Sequence, residues 1–129
     1  MSIESTVRTY LLTSSTLTGY ISTRMYYMEA PQEVVKPYVV YHTLDDPNTK
    51  TIVGEDGANP VLTFRIVAET AAVLIGISDA IRAKIIDYTG TMGTYDVYRV
   101  WCVNIRDFPP QEDTDFYERY CDYMVEYAR

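Results

Sequence analysis

Two rhythms of hydrophobic residues alternate along the chain, one of three to four residues and one of two. Ile3, Val7, Tyr10 and Leu11 follow the first, the apolar stripe of an amphipathic helix. Ser2 is placed to cap it. The polar run Thr13-Ser14-Ser15-Thr16 interrupts the stripe, and Leu17 opens a second helical turn that stops at Gly19, a residue suited to a helix C-terminus. Residues 20–28 are rich in aromatic and branched side chains and predict a strand. Ala30-Pro31 and Lys36-Pro37 bracket a loop, since proline removes a ladder donor and restrains its predecessor. Residues 38–44 (Tyr-Val-Val-Tyr-His-Thr-Leu) predict a strand by propensity.

The pattern then lapses. Residues 45–60 hold Pro47, Gly54, Gly57 and Pro60 with the acids Asp45, Asp46, Glu55 and Asp56, and predict a long flexible exposed loop. Thr51-Ile52-Val53 is its only strand-like part. From residue 61 the period of two returns. Leu62, Phe64, Ile66 and Ala68 point one way, and Thr63, Arg65 and Glu69 the other, as in a half-buried strand. Thr70 caps a helix reaching about residue 87, with Leu74, Ile77, Ile81 and Ile85 as its seam and Ser78 on a solvated flank. A turn over 89–94 leads into a long strand, 95–108. Apolar groups on both its faces predict a central or interface-covered position.

After the Pro109-Pro110 turn, residues 115–127 fit two patterns. Tyr117, Tyr120, Met124 and Tyr127 suit a helix, whereas Tyr117, Cys121, Tyr123, Val125 and Tyr127 suit a strand. Aromatic enrichment favours the strand. It would pair antiparallel with 95–108 and set Cys102 near Tyr120 or Cys121. The resulting expectation is one α+β domain over residues 1–129. Its antiparallel or mixed sheet has about four to five strands, with a pair of helices packed on one face.

Composition narrows the function classes. A length of 129 residues suits one domain, and 47% hydrophobic with 22% charged residues places the chain among ordinary globular proteins rather than disordered ones. The longest apolar run, 71–77, falls far short of the ~20 residues that span a bilayer. No basic-then-apolar start predicts export, so synthesis in a cytosol is expected. The net charge of −7 repels phosphate backbones and argues against direct nucleic-acid binding. Thirteen tyrosines stand against three phenylalanines and one tryptophan. Tyrosine pairs a large apolar ring with a hydroxyl that can stay wet, which suits sheet surfaces and protein interfaces.

Candidate chemistry is sparse. His42 is the single histidine, and its alternation with Val40 and Leu44 makes it a packed strand residue. One histidine and two separated cysteines, Cys102 and Cys121, supply too few soft ligands for zinc; the cysteines read as buried thiols, on neighbouring strands where a bridge is geometrically open to them. No Gly-x-Ser-x-Gly elbow is present. Gly90-Thr91-Met92-Gly93 lacks the lysine of a phosphate loop, and the loop acids lack the spacing of a calcium site. The sequence therefore offers no catalytic residue, no metal ligand and no cofactor. A small enzyme with carboxylates converging in a cleft is the competing class, and a deep acid-lined pocket would mark it.

Four stretches resemble the tail-completion, or tail-terminator, proteins of long-tailed phages. They are the amphipathic start through Leu17-Thr18-Gly19, and Arg24-Met25-Tyr26 with Ala30-Pro31-Gln32 and Lys36-Pro37-Tyr38-Val39-Val40-Tyr41. The others are Phe64-Arg65-Ile66 with the Ile77–Arg82 helix segment, and Tyr117 to Tyr123. The resemblance implies a virion ring, commonly hexameric, that ends the tail tube and joins it to the head connector or a neck protein. DNA would pass through its lumen without specific binding. An alternative within the same class is another neck or minor tail component that stays monomeric until assembly. A head-to-tail ring needs two different adhesive surfaces on each subunit. Tyr98, Trp101, Tyr120, Tyr123 and Tyr127 are the candidate subunit interface. Asp45, Asp46, Lys50, Glu55 and Asp56 are the candidate residues of a lumen or inter-ring loop.

Overall fold

A computed structural model describes residues 3–45, 57–58, 60–110 and 115–128. Helix α1, Ile3–Leu11, buries Ile3, Val7 and Leu11 of the anticipated stripe and also Thr6, while Tyr10 is half-buried. The expected Ser2 cap lies outside the described residues. Helix α2, Ser15–Ile21, begins where the Ser14 side chain accepts a hydrogen bond from the Leu17 backbone N–H at 3.2 Å. Leu17 and Ile21, four residues apart, are both fully buried. That cap and that buried pair carry the helix through Gly19 and draw in Tyr20, against its β propensity. The expected strand over 20–28 accordingly shrinks to β1, Met25–Tyr27.

The remaining strands are β2 (Tyr38–Asp45), β3 (Gly57–Ala58), β4 (Val61–Ala68), β5 (Gly90–Met92), β6 (Tyr95–Phe108) and β7 (Tyr117–Ala128). Helix α3, Ala71–Ile85, follows β4, with Thr70 as its N-cap. Among the described residues the strands form one mixed sheet in the order β1-β2-β4-β7-β6-β5, and β3 pairs with the end of β7. Only β1 and β2 run parallel. The sheet thus has more strands, and its apolar side more helices, than expected, because 25–27, 57–58 and 90–92 add short strands and 15–21 adds a helix. Part of the expected 45–60 loop is therefore strand, while Thr51-Ile52-Val53 falls outside the described residues. The 89–94 turn is a tight hairpin, in which Met92 opposes Tyr95 and Gly93 takes the positive φ of 61° that such a turn requires.

Of the ambiguous stretch 115–127, residues from Tyr117 onward resolve as strand, and β7 rather than β6 occupies the middle of the sheet. Beyond Val97, β6 has β7 on one side and no ladder on the other among the described residues. Two register shifts, at Val97/Arg99 and Cys102/Asn104, slide the pairing, so Cys102 opposes Tyr123 and Cys121 opposes Ile105. Turn signals alone could not locate these bulges, which add a residue to one strand only. Both thiols are free.

Alternation decides what each face of the sheet does. Val39, Tyr41, Leu62, Phe64, Ile66, Ala68, Cys121, Tyr123 and Val125 form the core together with Leu74, Ile77, Ile81 and Ile85 of α3. Helix α1 reaches both β2 and β5, so the sheet curls around the helical layer. Gly76 lets Tyr20 of α2 lie directly on α3, where a Cβ would collide with the tyrosine hydroxyl. The opposite face is more closed than a half-buried strand predicts. Val61, Thr63 and Val67 are buried there and only Arg65 is partly open.

Candidate assembly surfaces

The described surface concentrates its apolar exposure at two places. Nine large hydrophobic side chains are exposed, and three of them, Tyr27, Met28 and Val35, stand on β1 and the loop after it. Four more, Ile75, Val103, Ile105 and Phe108, stand on α3 and the far half of β6. Tyr20, seated on Gly76, and Tyr98 complete the set.

The first place is built stiffly. The Arg8 guanidinium donates through Nε to the Met25 carbonyl at 2.8 Å, and the Glu29 N–H donates to the Tyr27 carbonyl at 2.8 Å. These bonds occupy outward carbonyls of β1 and discourage strand addition there. Tyr27 packs on Tyr41 with ring centroids 5.4 Å apart. Burial pushes the Tyr41 hydroxyl above its ordinary pKa, partly offset by Arg8. Met28 takes φ = 72°, a left-handed conformation uncommon for its residue type, while its N–H donates to the Tyr41 carbonyl at 2.9 Å. Its side chain is 64% exposed.

The second place is a groove between the start of α3 and the β6–β7 hairpin. Leu74, Ile75, Phe108 and Tyr117 line it together with the charged Asp107, Glu118 and Arg119. Its volume is about 210 Å³. Arg119 donates to both Asp107 carboxylate oxygens, at 2.6 and 3.1 Å, and to Ser78 Oγ at 3.2 Å. The Arg119 guanidinium holds the Asp107 carboxyl below the usual carboxylate range. Ser78 is buried, not on a solvated flank, and lies 3.6 Å from Cys121 Sγ. The spacing carried that signal, since Ser78 lies four residues after Leu74 and three before Ile81. Burial pushes the Cys121 thiol up, away from nucleophilic character.

The residues singled out in the sequence separate in the fold. Tyr98 is exposed at 56%. Trp101 is half-buried beneath the Arg99 guanidinium, 4.1 Å from its ring centroid. Tyr120 is half-buried between Phe108 and Arg106. Tyr127 packs edge-on to Tyr95 at 5.0 Å. Tyr123 is fully buried beside Phe64 and offers no surface to a neighbour. Period-two alternation put it on the core side with Cys121 and Val125, and its residue type alone suggested an interface. Asp45 ends β2. Asp46, Lys50, Glu55 and Asp56 lie outside the described residues. His42 is half-buried on β2 opposite Thr63.

The helix-free face of the sheet carries paired charge. Arg65 Nε bonds Glu118 at 2.6 Å, and burial works against the Arg65 charge while Glu118 restores it, with a net rise. Asp122, 4% exposed, accepts from Thr63 Oγ1 at 2.8 Å and from Arg106 Nη2 at 3.1 and 3.2 Å. Among the described residues no group of His, Cys, Asp and Glu is arranged to hold a metal, and no helix is long and apolar enough to cross a membrane.

The sequence model of the family described as tail completion protein gp17 matches residues 5–127. No curated protein compared with the chain matches it. Among solved structures, a chain of the virion of a native gene transfer agent particle superposes with a TM-score of 0.75 at 15% identity. The likeness covers 99% of this chain and 96% of that one, and shows a shared fold.

Proposed function

The chain belongs to the tail completion protein gp17 family and is a structural tail protein of the virion, and from that premise we propose that its copies close into a ring at the head-proximal end of the tail. The ring, hexameric as is common in the proteins it resembles, ends the tail tube and offers its other side to the head connector or neck protein. The observation that carries this reading is the pair of unlike apolar surfaces, one on β1 and its loop and one on α3 and β6. Two-fold dimers use one surface twice, whereas a closed ring uses two different surfaces once each. Exposed apolar patches of this kind mark interaction sites in soluble proteins. The net charge of −7 suits a lumen through which DNA slides, because phosphate finds little to hold it.

Negative-stain images of tails, with mass measurement of the protein released from them, test the ring. A closed ring at the head-proximal end and tails left unjoined when the gene is deleted are the expected results. Monomers scattered along the tube would overturn the reading. Neutralising Asp46, Glu55 and Asp56 to their amides tests the loop as a lumen element. Joined particles should then form in normal number but deliver DNA less efficiently.

A further inference from the structure

We infer that each subunit carries a cation-binding notch formed by Glu4, Tyr27 and Tyr41, and that Arg82 of the next copy fills it. The inference rests on the ring proposed above and names its joint.

The notch is built for a positive charge. Glu4, Ser5, Tyr27 and Tyr41 line a recess of about 370 Å³ where α1 begins beside β1 and β2. Tyr27 faces Tyr41 across the parallel ladder, and their rings lie 5.4 Å apart at 58°. Ring faces beside a carboxylate are what a guanidinium or ammonium group binds. Thr43 Oγ1 donates to Glu4 and holds the carboxylate in place. Among the described residues no cation pairs with Glu4 or lies over either ring. Arg8, four residues after Glu4, instead gives Nε to the Met25 carbonyl at 2.8 Å and Nη2 to the Thr23 carbonyl at 3.3 Å. Tyr27 is 51% exposed, so the mouth is open.

The chain supplies a cation that lacks a partner. Among the described residues, every other lysine and arginine holds a backbone carbonyl, a carboxylate or a ring face. Arg82, exposed on α3, has none of these, and neither Asp79 nor Asp87 forms an ion pair with it.

Position agrees with the chemistry. Strand β1 forms one edge of the sheet. The turn after α3 is tied to β6, towards the other edge, where the Asp87 N–H donates to the Val100 carbonyl at 2.9 Å. Notch and cation therefore stand at opposite sides of the helical layer, as a head-to-tail ring requires. They also share a rung of the ladder. Glu4 bonds Thr43, Thr43 faces Leu62, and Leu62 faces Tyr123, whose hydroxyl feels the Arg82 charge. Copies turned about an axis along the strands would bring cation to notch at one height.

The test reads rings on assembled tails beside the melting temperature of the subunit. Arg82→Gln should leave the melting temperature unchanged, because the side chain holds nothing in its own subunit. It should cut ring yield at least about tenfold, the weight of a desolvated cation–π contact. Arg82→Lys keeps the charge and should recover part of the yield. Tyr27→Leu removes a ring face and should cut the yield likewise, whereas Tyr27→Phe should not. Arg82→Gln and Tyr27→Leu subunits mixed together should give dimers and no rings, since only one sound joint can form between unlike copies. In a Cys102→Ser background, Ser5→Cys with Asp79→Cys and a short bismaleimide should give a ladder of multimers ending at the closed ring. Wild-type ring yield from Arg82→Gln would overturn the joint and leave the ring standing. A ladder that stops at dimers would overturn it as well, since that means a two-fold contact. Wild-type tails without rings would sink both.

Discussion

The two faces of the β4–β7 pair alternate along the same strands, yet they are held by different physics. On the helix side, Leu62 opposes Tyr123 and Phe64 opposes Cys121, and α3 seals them with Leu74, Ile77 and Ile81. On the other side, Thr63 opposes Asp122 and Arg65 opposes Tyr120, and ion pairs join β4 to β7 and β7 to β6. The first face gains by removing apolar area from water, roughly 1.5–3 kcal/mol for each large side chain. The second gains little for each pair, but it fixes which residues stand opposite each other, because a slipped strand would strand a buried carboxylate. The apolar face therefore supplies stability and the polar face supplies register.

Phe64→Ala should cost the most. The ring is 1% exposed and touches Tyr41 and Tyr123, so its loss leaves a cavity and costs about 3–5 kcal/mol, measured as a shift in denaturant midpoint. Asp122→Ala comes next. It strips Thr63 and Arg106 of their acceptor at a site that is 4% exposed. Arg106 is 43% exposed and can turn to water, so the loss should stay near 2 kcal/mol, below the ~3–5 of a fully buried broken pair. If the face sets register, hydrogen exchange in β7 should also lose protection beyond what that energy explains. Uniform, energy-matched exchange would remove the claim.

This division was half legible in the sequence. The core side of β4 followed from the alternation of Leu62, Phe64, Ile66 and Ala68, and α3 from its seam and the Thr70 cap. Both signals are local. What stayed hidden was non-local. The partner that buries Thr63 and Asp122 lies 59 residues away, and the bulges that move Cys102 opposite Tyr123 depend on how β6 coils against β7. The short strands β1 and β5 carry too few residues for a period to show. The interface reading of β6 and β7 rested on tyrosine as a residue type, which does not say which face a ring takes. It reached exposed Tyr98 and also buried Tyr123, and it passed over exposed Met28, whose positive φ leaves no mark in a sequence.

Ser78→Ala and Tyr123→Phe sharpen the contrast in opposite directions. Ser78 is a polar group on the apolar face and accepts from Arg119, so removing it should cost about 1 kcal/mol. Tyr123 Oη is buried with no protein partner among the described residues, and burial raises the hydroxyl's pKa. Removing that oxygen deletes an unpaired polar atom, so Tyr123→Phe should be neutral or stabilising by up to ~1 kcal/mol. A loss above that size would mean the hydroxyl is bonded.

The smallest effect belongs to Asp107, whose pair with Arg119 lines the groove on the helix side. Its side chain is 55% exposed, so the pair is screened and worth at most about 0.2–1 kcal/mol. Its sign with pH is nonetheless fixed. The hydrogen bonds from Arg119 lower the carboxyl's pKa in the folded state. A lowered folded value means that the unfolded chain takes up the proton first as acid is added. The stabilisation is therefore complete above the ordinary aspartate value of about 3.9 and is lost as pH falls through the lower, folded value. Asp107→Asn should be slightly less stable than the parent at pH 7, and the gap should close in acid and shrink in high salt. A gap that persisted at low pH would show that Asn fails for reasons of shape, and that the charge on Asp107 contributes nothing.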